Sequence, residues 1–419
     1  MKPKRKPEIM SPAGNWTCLI AALQSGADAI YFGLQGLNMR SNYRNFRPPE
    51  MKRIARECHE AGARAYLALN TVVFDGELPR VDRILKSARD AGIDAVIGSD
   101  LAVIQKASAL DLPVFLSTQM SISNSESLGF FYRTFGIRRF VLARECTLVQ
   151  IRAMRRKLVK QLGEAANDIE IEVFVHGAMC VSVSGRCFMS ENRSGKSANR
   201  GACLQPCRRE YQLIDDEGKT SFRMGENYLL SPEDLCTMPF IEKLIEAGVS
   251  SFKIEGRART PEYVSTVTTA YRRAVDFYFE NHRRPDFQTQ FHALKKTLMA
   301  DLDGVYHRGL SPGFFMGQPV DQWANTSGSR AGKSKRHVGE VANYYRKAEA
   351  AEIQVRATEF ALGDELIIQG PTTGVVRIRI DSIQVDHEPR QSAKRGERVA
   401  VPVKEVVRRK DRVFLVTNA

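Results

Sequence analysis

The stretch "IEVFVHGAMCVSVSGRC", residues 171–187, decides the fold. Its first half is an apolar, β-branched run that stops at Gly177. Its second half turns small and polar and carries Cys180 and Cys187. A short apolar run closed by a glycine turn reads as a strand buried on both faces, as in parallel sheets. Seven more such runs occur: "EIMSPAG" from Glu8, "DAIYFG" from Asp28, "RAYLALN" from Arg64, "DAVIGSD" from Asp94, "PVFLSTQ" from Pro113, "RFVLARE" from Arg139 and "SFKIEGR" from Ser251.

Helical patterns lie between most of them. "NWTCLIAALQSG" puts Cys18, Ala21 and Ala22 on one side. "PPEMKRIARECHEAG" and "LPRVDRILKSARDAG" have prolines in or before the first turn and end at a glycine. "SPEDLCTMPFIEKLIEAG" reads as another helix, with Ser231 as cap and Glu233 and Asp234 in its first turn. Eight strands alternating with helices give an α/β fold, most simply a (β/α)8 TIM-like barrel. A doubly wound open sheet stays open, as does a further strand in "ENYLLSP", Glu226 to Pro232.

The long gap between the seventh and eighth runs holds a Cys-rich insertion. A segment after a barrel strand emerges at the C-terminal face, where active sites of such barrels are built. The expected boundaries are a barrel over 1–285, a helical and irregular linker over 286–336, and a small C-terminal all-β barrel over 337–419, a module that could contact RNA.

The chain has 419 residues with 62 Lys plus Arg against 48 Asp plus Glu, a formal net charge of +14. That surplus suits a polyanion such as nucleic acid, though a generally basic surface gives the same number. Basic clusters stand at Lys2 to Lys6, Arg152 to Lys160, Ser329 to His337 and Arg408 to Arg412. No apolar run reaches the ~18 residues of a membrane span, and no apolar stretch of signal-peptide type follows the basic start. The expected location is therefore the cytoplasm, where clustered cysteines more often serve metal or redox chemistry than disulfides.

Cys180 and Cys187 are separated by six residues, and Cys203 and Cys207 by three. Four thiolates suit either zinc or an iron–sulfur cluster. Zinc ribbons favour tight C-x2-C knuckles, and the wider, unequal spacing here favours a multi-iron group. Unrelated structural thiols are the third reading. Gly177, Gly185 and Gly201 would let backbone amides approach the sulfurs. Cys18 and Cys58 read as buried apolar residues. Cys146 follows a strand end near the barrel mouth, and Cys236 rivals Cys207 as a ligand.

The blocks "EVFVHGAMCVSVSGRC" and "NRGACLQPCRREY", with "MSPAGNWTCLIAALQSGADAIYFGLQGLNMRSNYRNF", "STQMSISN", "VLARE" and "FKIEGRARTPEYV", resemble the collagenase-like peptidase family of unknown catalytic type. The likeness covers roughly residues 8 to 280 and is nearest the tRNA-hydroxylating branch. It implies a 4Fe–4S cluster on Cys180, Cys187, Cys203 and Cys207. It also implies oxygen-independent C5 hydroxylation of the wobble uridine of tRNA, with prephenate as the hydroxyl donor.

Prephenate carries two carboxylates, which arginines bind through paired donors. Arg144, Arg257 and Arg40 stand at strand ends as candidates for it, although Arg144 with Glu145 and Arg257 with Glu255 could be plain ion pairs. His176 could serve a cluster sulfur or move a proton, or be a packed histidine. Lys253 is a further polar group at a strand end, and Asn70 and Gln119 could read a uracil edge. Peptide hydrolysis is the rival enzyme reading. The chain has no local Cys–His signature and no H-E-x-x-H, so hydrolysis finds little support in it. The rival of another class is a zinc-stabilised RNA- or partner-binding module without catalysis. A protein partner or a homo-oligomer stays open.

Overall fold

A computed structural model describes residues 5–209, 211–214, 217–218, 221–223, 230–319, 322–326 and 328–419. Residues 226–229 of the alternative strand, and residues 2–4 of the first basic cluster, lie outside them.

All eight runs form strands: β1 (Glu8–Ala13), β2 (Ala29–Gly33), β3 (Arg64–Leu69), β4 (Ala95–Gly98), β5 (Val114–Leu116), β6 (Arg139–Val141), β7 (Glu170–Gly177) and β8 (Ser251–Ile254). Each pairs parallel with the next, and β8 pairs with both β7 and β1. The ring is closed, so the open doubly wound sheet is excluded.

Helices α1 (Trp16–Gln24), α2 (Met51–Glu60), α3 (Leu78–Asp90), α4 (Leu101–Ser108), α5 (Ser125–Phe135) and α6 (Leu148–Leu162) follow the first six strands. On α2 the buried residues are Met51, Ile54, Ala55 and Cys58, the i, i+3, i+4, i+7 stripe that faces a sheet. Asn15, Asp100, Asn124 and Thr147 each cap a helix by accepting a backbone N–H, which fixes where the chain leaves each strand loop. Between β7 and β8 lie the cysteine loop, α7 (Met189–Ser194) and α8 (Ile241–Glu246). The helix α9 (Pro261–Asn281) follows β8.

The helix expected to start at Ser231 does not form there. Asp234–Cys236 is a short strand antiparallel to the end of β7, with Leu235 opposite Gly177 and Cys236 opposite His176, and α8 begins only at Ile241. The end of β7 offers this segment an edge to pair with, and backbone pairing outweighs the capping pattern. Asp234 meets Arg308 at 2.5 Å and Arg259 at 3.4 Å, and Ser231 accepts from Arg208.

Residues 286–336 divide. The helix α10 (Phe287–Asp303) packs on α9, with Phe291 stacked on Phe277 at 5.8 Å, and its Phe287, Phe291, Leu298 and Leu302 join the barrel's core. The first strand of the C-terminal unit begins at Lys333. That unit is an eight-stranded antiparallel sheet around its own core, including Val341, Ile353, Leu366, Val399 and Val413. It docks on α1 and α9: Gln24 donates to the Thr373 carbonyl at 3.0 Å, and Glu262 meets Lys335 at 2.8 Å and Gln369 at 2.7 Å. Among the described residues no helix is long and apolar enough to cross a membrane.

Met10, Tyr31, Tyr66, Ile97 and Phe115 cluster together from the central strands. A chain of charges threads beside them. Arg139 meets Glu8 at 2.5 Å and Glu170 at 2.6 Å, and Lys253 meets Glu172 at 2.8 Å. Glu8 and Glu172 are largely withdrawn from water, and each has a cation beside it.

Candidate active site at the barrel mouth

The loops after the strands converge on one pocket. Arg40 comes from the loop after β2, Asn70 follows β3, Ser117 and Gln119 follow β5, and Arg144 follows β6. Cys180 follows β7, and Glu255 and Arg257 follow β8, while Cys203 arrives from the long insertion. Lys253 and Phe174 close the floor of this cavity of about 130 Å³. Arg40, Asn70, Gln119, Arg144, Lys253 and Arg257, singled out from sequence, therefore line one space with two of the four thiols.

The arginines are not equivalent. Arg40 pairs with Glu255 at 2.6 Å. Burial alone would raise the Glu255 carboxyl, but Arg40, Arg259 and Arg144 outweigh it and hold that group at about 2. The two adjacent ion pairs conceivable from sequence do not form. Glu145 instead accepts from Ser184, through its backbone N–H at 2.9 Å and its hydroxyl at 3.1 Å. Arg144 lies over the Phe174 ring at 4.4 Å, and its buried Nε has no hydrogen-bond partner. Arg257 donates to the Asn38 side-chain oxygen at 2.9 Å, and burial pulls it down to about 10. Two guanidinium groups thus face the pocket without a carboxylate bonded to either, an arrangement that calls for an anion.

Lys253 sits over the Tyr31 ring at 4.7 Å, and burial lowers its pKa against the pull of Glu172. Asn70 donates to the Ser117 hydroxyl at 3.0 Å and to the Gln119 side-chain oxygen Oε1 at 3.1 Å, so these amides form one fixed polar wall. His176 is outside the pocket lining. It is packed against Tyr263 and Tyr271, with ring centroids 5.9 and 5.7 Å away, and burial, then His307 and Arg259, lower its pKa to about 3. It is therefore neutral at ordinary pH.

Cys180, Cys187, Cys203 and Cys207 are free, half-buried thiols. Burial pushes the Cys207 thiol up, Arg208 pulls it down, and Cys180, Cys203 and Cys187 each add to the rise. Backbone amides point at two sulfurs: Met189 N–H to Cys187 at 3.4 Å and Gln205 N–H to Cys203 at 3.3 Å. Gln205 reaches this position with a left-handed backbone, φ 54°. Among the described residues, no three His, Cys, Asp or Glu side chains stand close enough to ligate one ion. A tetrahedral zinc would need its sulfurs about 3.8 Å apart, from Zn–S bonds of about 2.3 Å. The donor set of four thiols, with amides aimed at two of the sulfurs, is of the kind that holds zinc or a multi-iron group.

Cys236 is elsewhere. It is buried beside Tyr271 and Met299, and burial pushes it up to about 11. Cys146 is buried too, at about 11 for the same reason. Arg208, which no sequence motif marked, ties the loop together. Its guanidinium donates to the Met179 carbonyl beside Cys180, to Ser231 at 2.7 Å and to the Pro232 carbonyl at 2.8 Å, while its neighbour is Cys207. Gly201 lets the same loop lie on the turn after β2. Its φ is +76°, and a Cβ there would fall 1.9 Å from the Asn38 carbonyl oxygen.

A closed parallel barrel with a thiol-rich insertion over an arginine-lined mouth is the class these features define. The chain belongs to peptidase family U32, whose profile matches residues 14–325. It is 38% identical to a collagenase of Porphyromonas gingivalis over 410 residues, covering 97% of each chain. It is 40% identical to an uncharacterized protease of Methanocaldococcus jannaschii over 414 residues, covering 98% of each. It is also 34% identical to tRNA hydroxylation protein P1 of Bacillus subtilis over 374 residues, covering 88% of this chain and 84% of that one.

Proposed function

We propose that this protein hydroxylates C5 of a pyrimidine in RNA, with the wobble uridine of tRNA as target and prephenate as hydroxyl donor. Cys180, Cys187, Cys203 and Cys207 would hold a 4Fe–4S cluster, which when bound supplies one-electron chemistry next to the pocket. The observation that carries the reading is the pair Arg144, half-buried, and Arg257, buried, neither bonded to a carboxylate, in a pocket that Cys180 and Cys203 also line. A dicarboxylate supplies the two charges they lack. Arg40, already neutralised by Glu255, shapes the wall rather than binding the anion. Lys253 is the pocket's proton-bearing group, held at Nζ by Glu172.

The Bacillus relative named for tRNA hydroxylation supports this reading. The relatives named collagenase and protease favour peptide hydrolysis. That route lacks a base here: the pocket lining contains no histidine, and the nearby His176 is buried and neutral.

The test has two arms. Anaerobically purified protein should carry about four iron and four sulfide per chain, as the cubane requires. Transfer RNA from a deletion strain should lack 5-hydroxyuridine derivatives, restored by the wild-type chain and not by Cys180→Ala or Cys207→Ala. Unchanged nucleosides in the deletion strain would remove the tRNA assignment, and zinc in place of iron would remove the cluster.

A further inference from the structure

A second cavity, of about 500 Å³, opens directly beside the first and shares Met39, Asn70 and Gln119 as a common wall. Its character is different. Val72, Phe74 and Phe188 line it and are 50%, 61% and 65% exposed, an unusual cost for three large apolar side chains around one opening. Phe188 directly follows Cys187, and Asn199 on the opposite side donates to the Cys187 carbonyl at 3.5 Å, so the thiol loop builds this wall as well. Cations stand at the rim. Arg186 holds the Gln119 backbone carbonyl at 2.8 Å with no carboxylate bound to it among the described residues, whereas Arg200, over the Phe74 ring at 4.6 Å, is already paired with Glu77 at 2.6 Å.

We propose that this outer cavity receives the target pyrimidine, turned out of its stack, while the inner pocket holds the dicarboxylate. This rests on the hydroxylation reading above. Aromatic faces suit the flat faces of an unstacked base, and Arg186 at the rim suits a flanking phosphate. The charge balance of the chain, +14, agrees with a polyanionic occupant. The shared wall of Asn70 and Gln119 then serves two purposes. It meets the Watson–Crick edge of the ring on one side and bounds the donor on the other.

The probe is an anticodon stem–loop RNA with 5-bromouridine at the wobble position, photo-crosslinked to the intact cluster-loaded protein. The crosslinked peptide is identified by mass spectrometry. The expected result is attachment at Phe74 or Phe188. Phe188→Ala should weaken stem–loop binding about 10-fold, the loss of one base–aromatic stack, with prephenate binding and iron content unchanged. Phe74→Ala serves as the second variant, since it lies outside the cysteine loop. Crosslinks that map elsewhere, with stem–loop binding intact and both variants binding as wild type, would overturn the base site and leave the hydroxylation reading standing. Absence of any stem–loop binding by the wild-type protein would overturn both.

Discussion

Replacing Arg144 by Gln separates anion binding from folding in one substitution. Arg144 rests on Phe174 at 4.4 Å and carries a buried Nε with no partner, and it bonds no carboxylate. Its removal takes one distant cation from Glu255 but leaves the Arg40 pair at 2.6 Å in place, so the fold should lose only roughly 1 kcal/mol, the usual cost of a point substitution. Prephenate, however, would lose a charge-assisted contact of about 1.5–3 kcal/mol, roughly a 10- to 150-fold rise in Kd. The adjacent Arg40→Gln should behave in the opposite way. It strips Glu255 of its partner at 2.6 Å and leaves a buried carboxylate with only the unbonded Arg259 and Arg144, which costs about 3–5 kcal/mol of stability. Isothermal titration with prephenate and urea denaturation of both variants read the two effects separately. If Arg144→Gln binds prephenate within about twofold of wild type, or loses as much stability as Arg40→Gln, the assignment of Arg144 as a free anion receptor is wrong.

Acid should unfold the protein in two stages. His176 is held neutral, near 3 when folded against 6.5 unfolded, so its contribution is complete above pH 6.5 and declines as the unfolded chain takes up a proton below it. Glu255, near 2 when folded against 4.5, adds stability that is complete above 4.5 and disappears as pH falls towards 2. Denaturation midpoints across pH should show a shallower limb between 6.5 and 4.5 in His176→Phe, and an unchanged slope there would contradict the burial argument. Gly201→Ala should cost at least about 1 kcal/mol, because its φ of +76° and the Asn38 carbonyl both exclude a Cβ, and iron content should fall with it. Wild-type iron retention and stability in that variant would show that the loop does not need this contact. Cys207→Ala should lose iron while Cys236→Ala keeps it, since Cys236 lies buried against Tyr271 and Met299; the reverse outcome in metal analysis would reassign the fourth ligand.

All eight strands were legible because a strand buried on both faces leaves a run of apolar residues that little else produces. The placement of Arg144, Arg257, Asn70 and Gln119 was legible for a related reason. Residues just past such runs must emerge at one end of the ring. What lay beyond reach was pairing across the mouth. Glu255 chooses Arg40, 215 positions away, over the neighbouring Arg257, and Glu145 turns to the backbone of Ser184. The segment at Ser231 misled because its capping pattern is local, whereas the edge of β7 that captures Asp234–Cys236 exists only in the folded barrel. Phe74 and Phe188 carried no signal either, since both stand in irregular loops with no periodicity to mark them.

The charge chain inside the barrel has a consequence for how the molecule can be made. Glu8 arrives with the first strand, Glu172 with the seventh, and Lys253 only with the last. A ribosome-bound chain that has delivered seven strands would hold Glu172 with only Arg139, 3.9 Å away, and without the lysine that bonds it at 2.8 Å. Closing the ring with its final strand therefore brings the cation that bonds a buried carboxylate directly, and a fragment ending at β7 should be less stable than the whole chain.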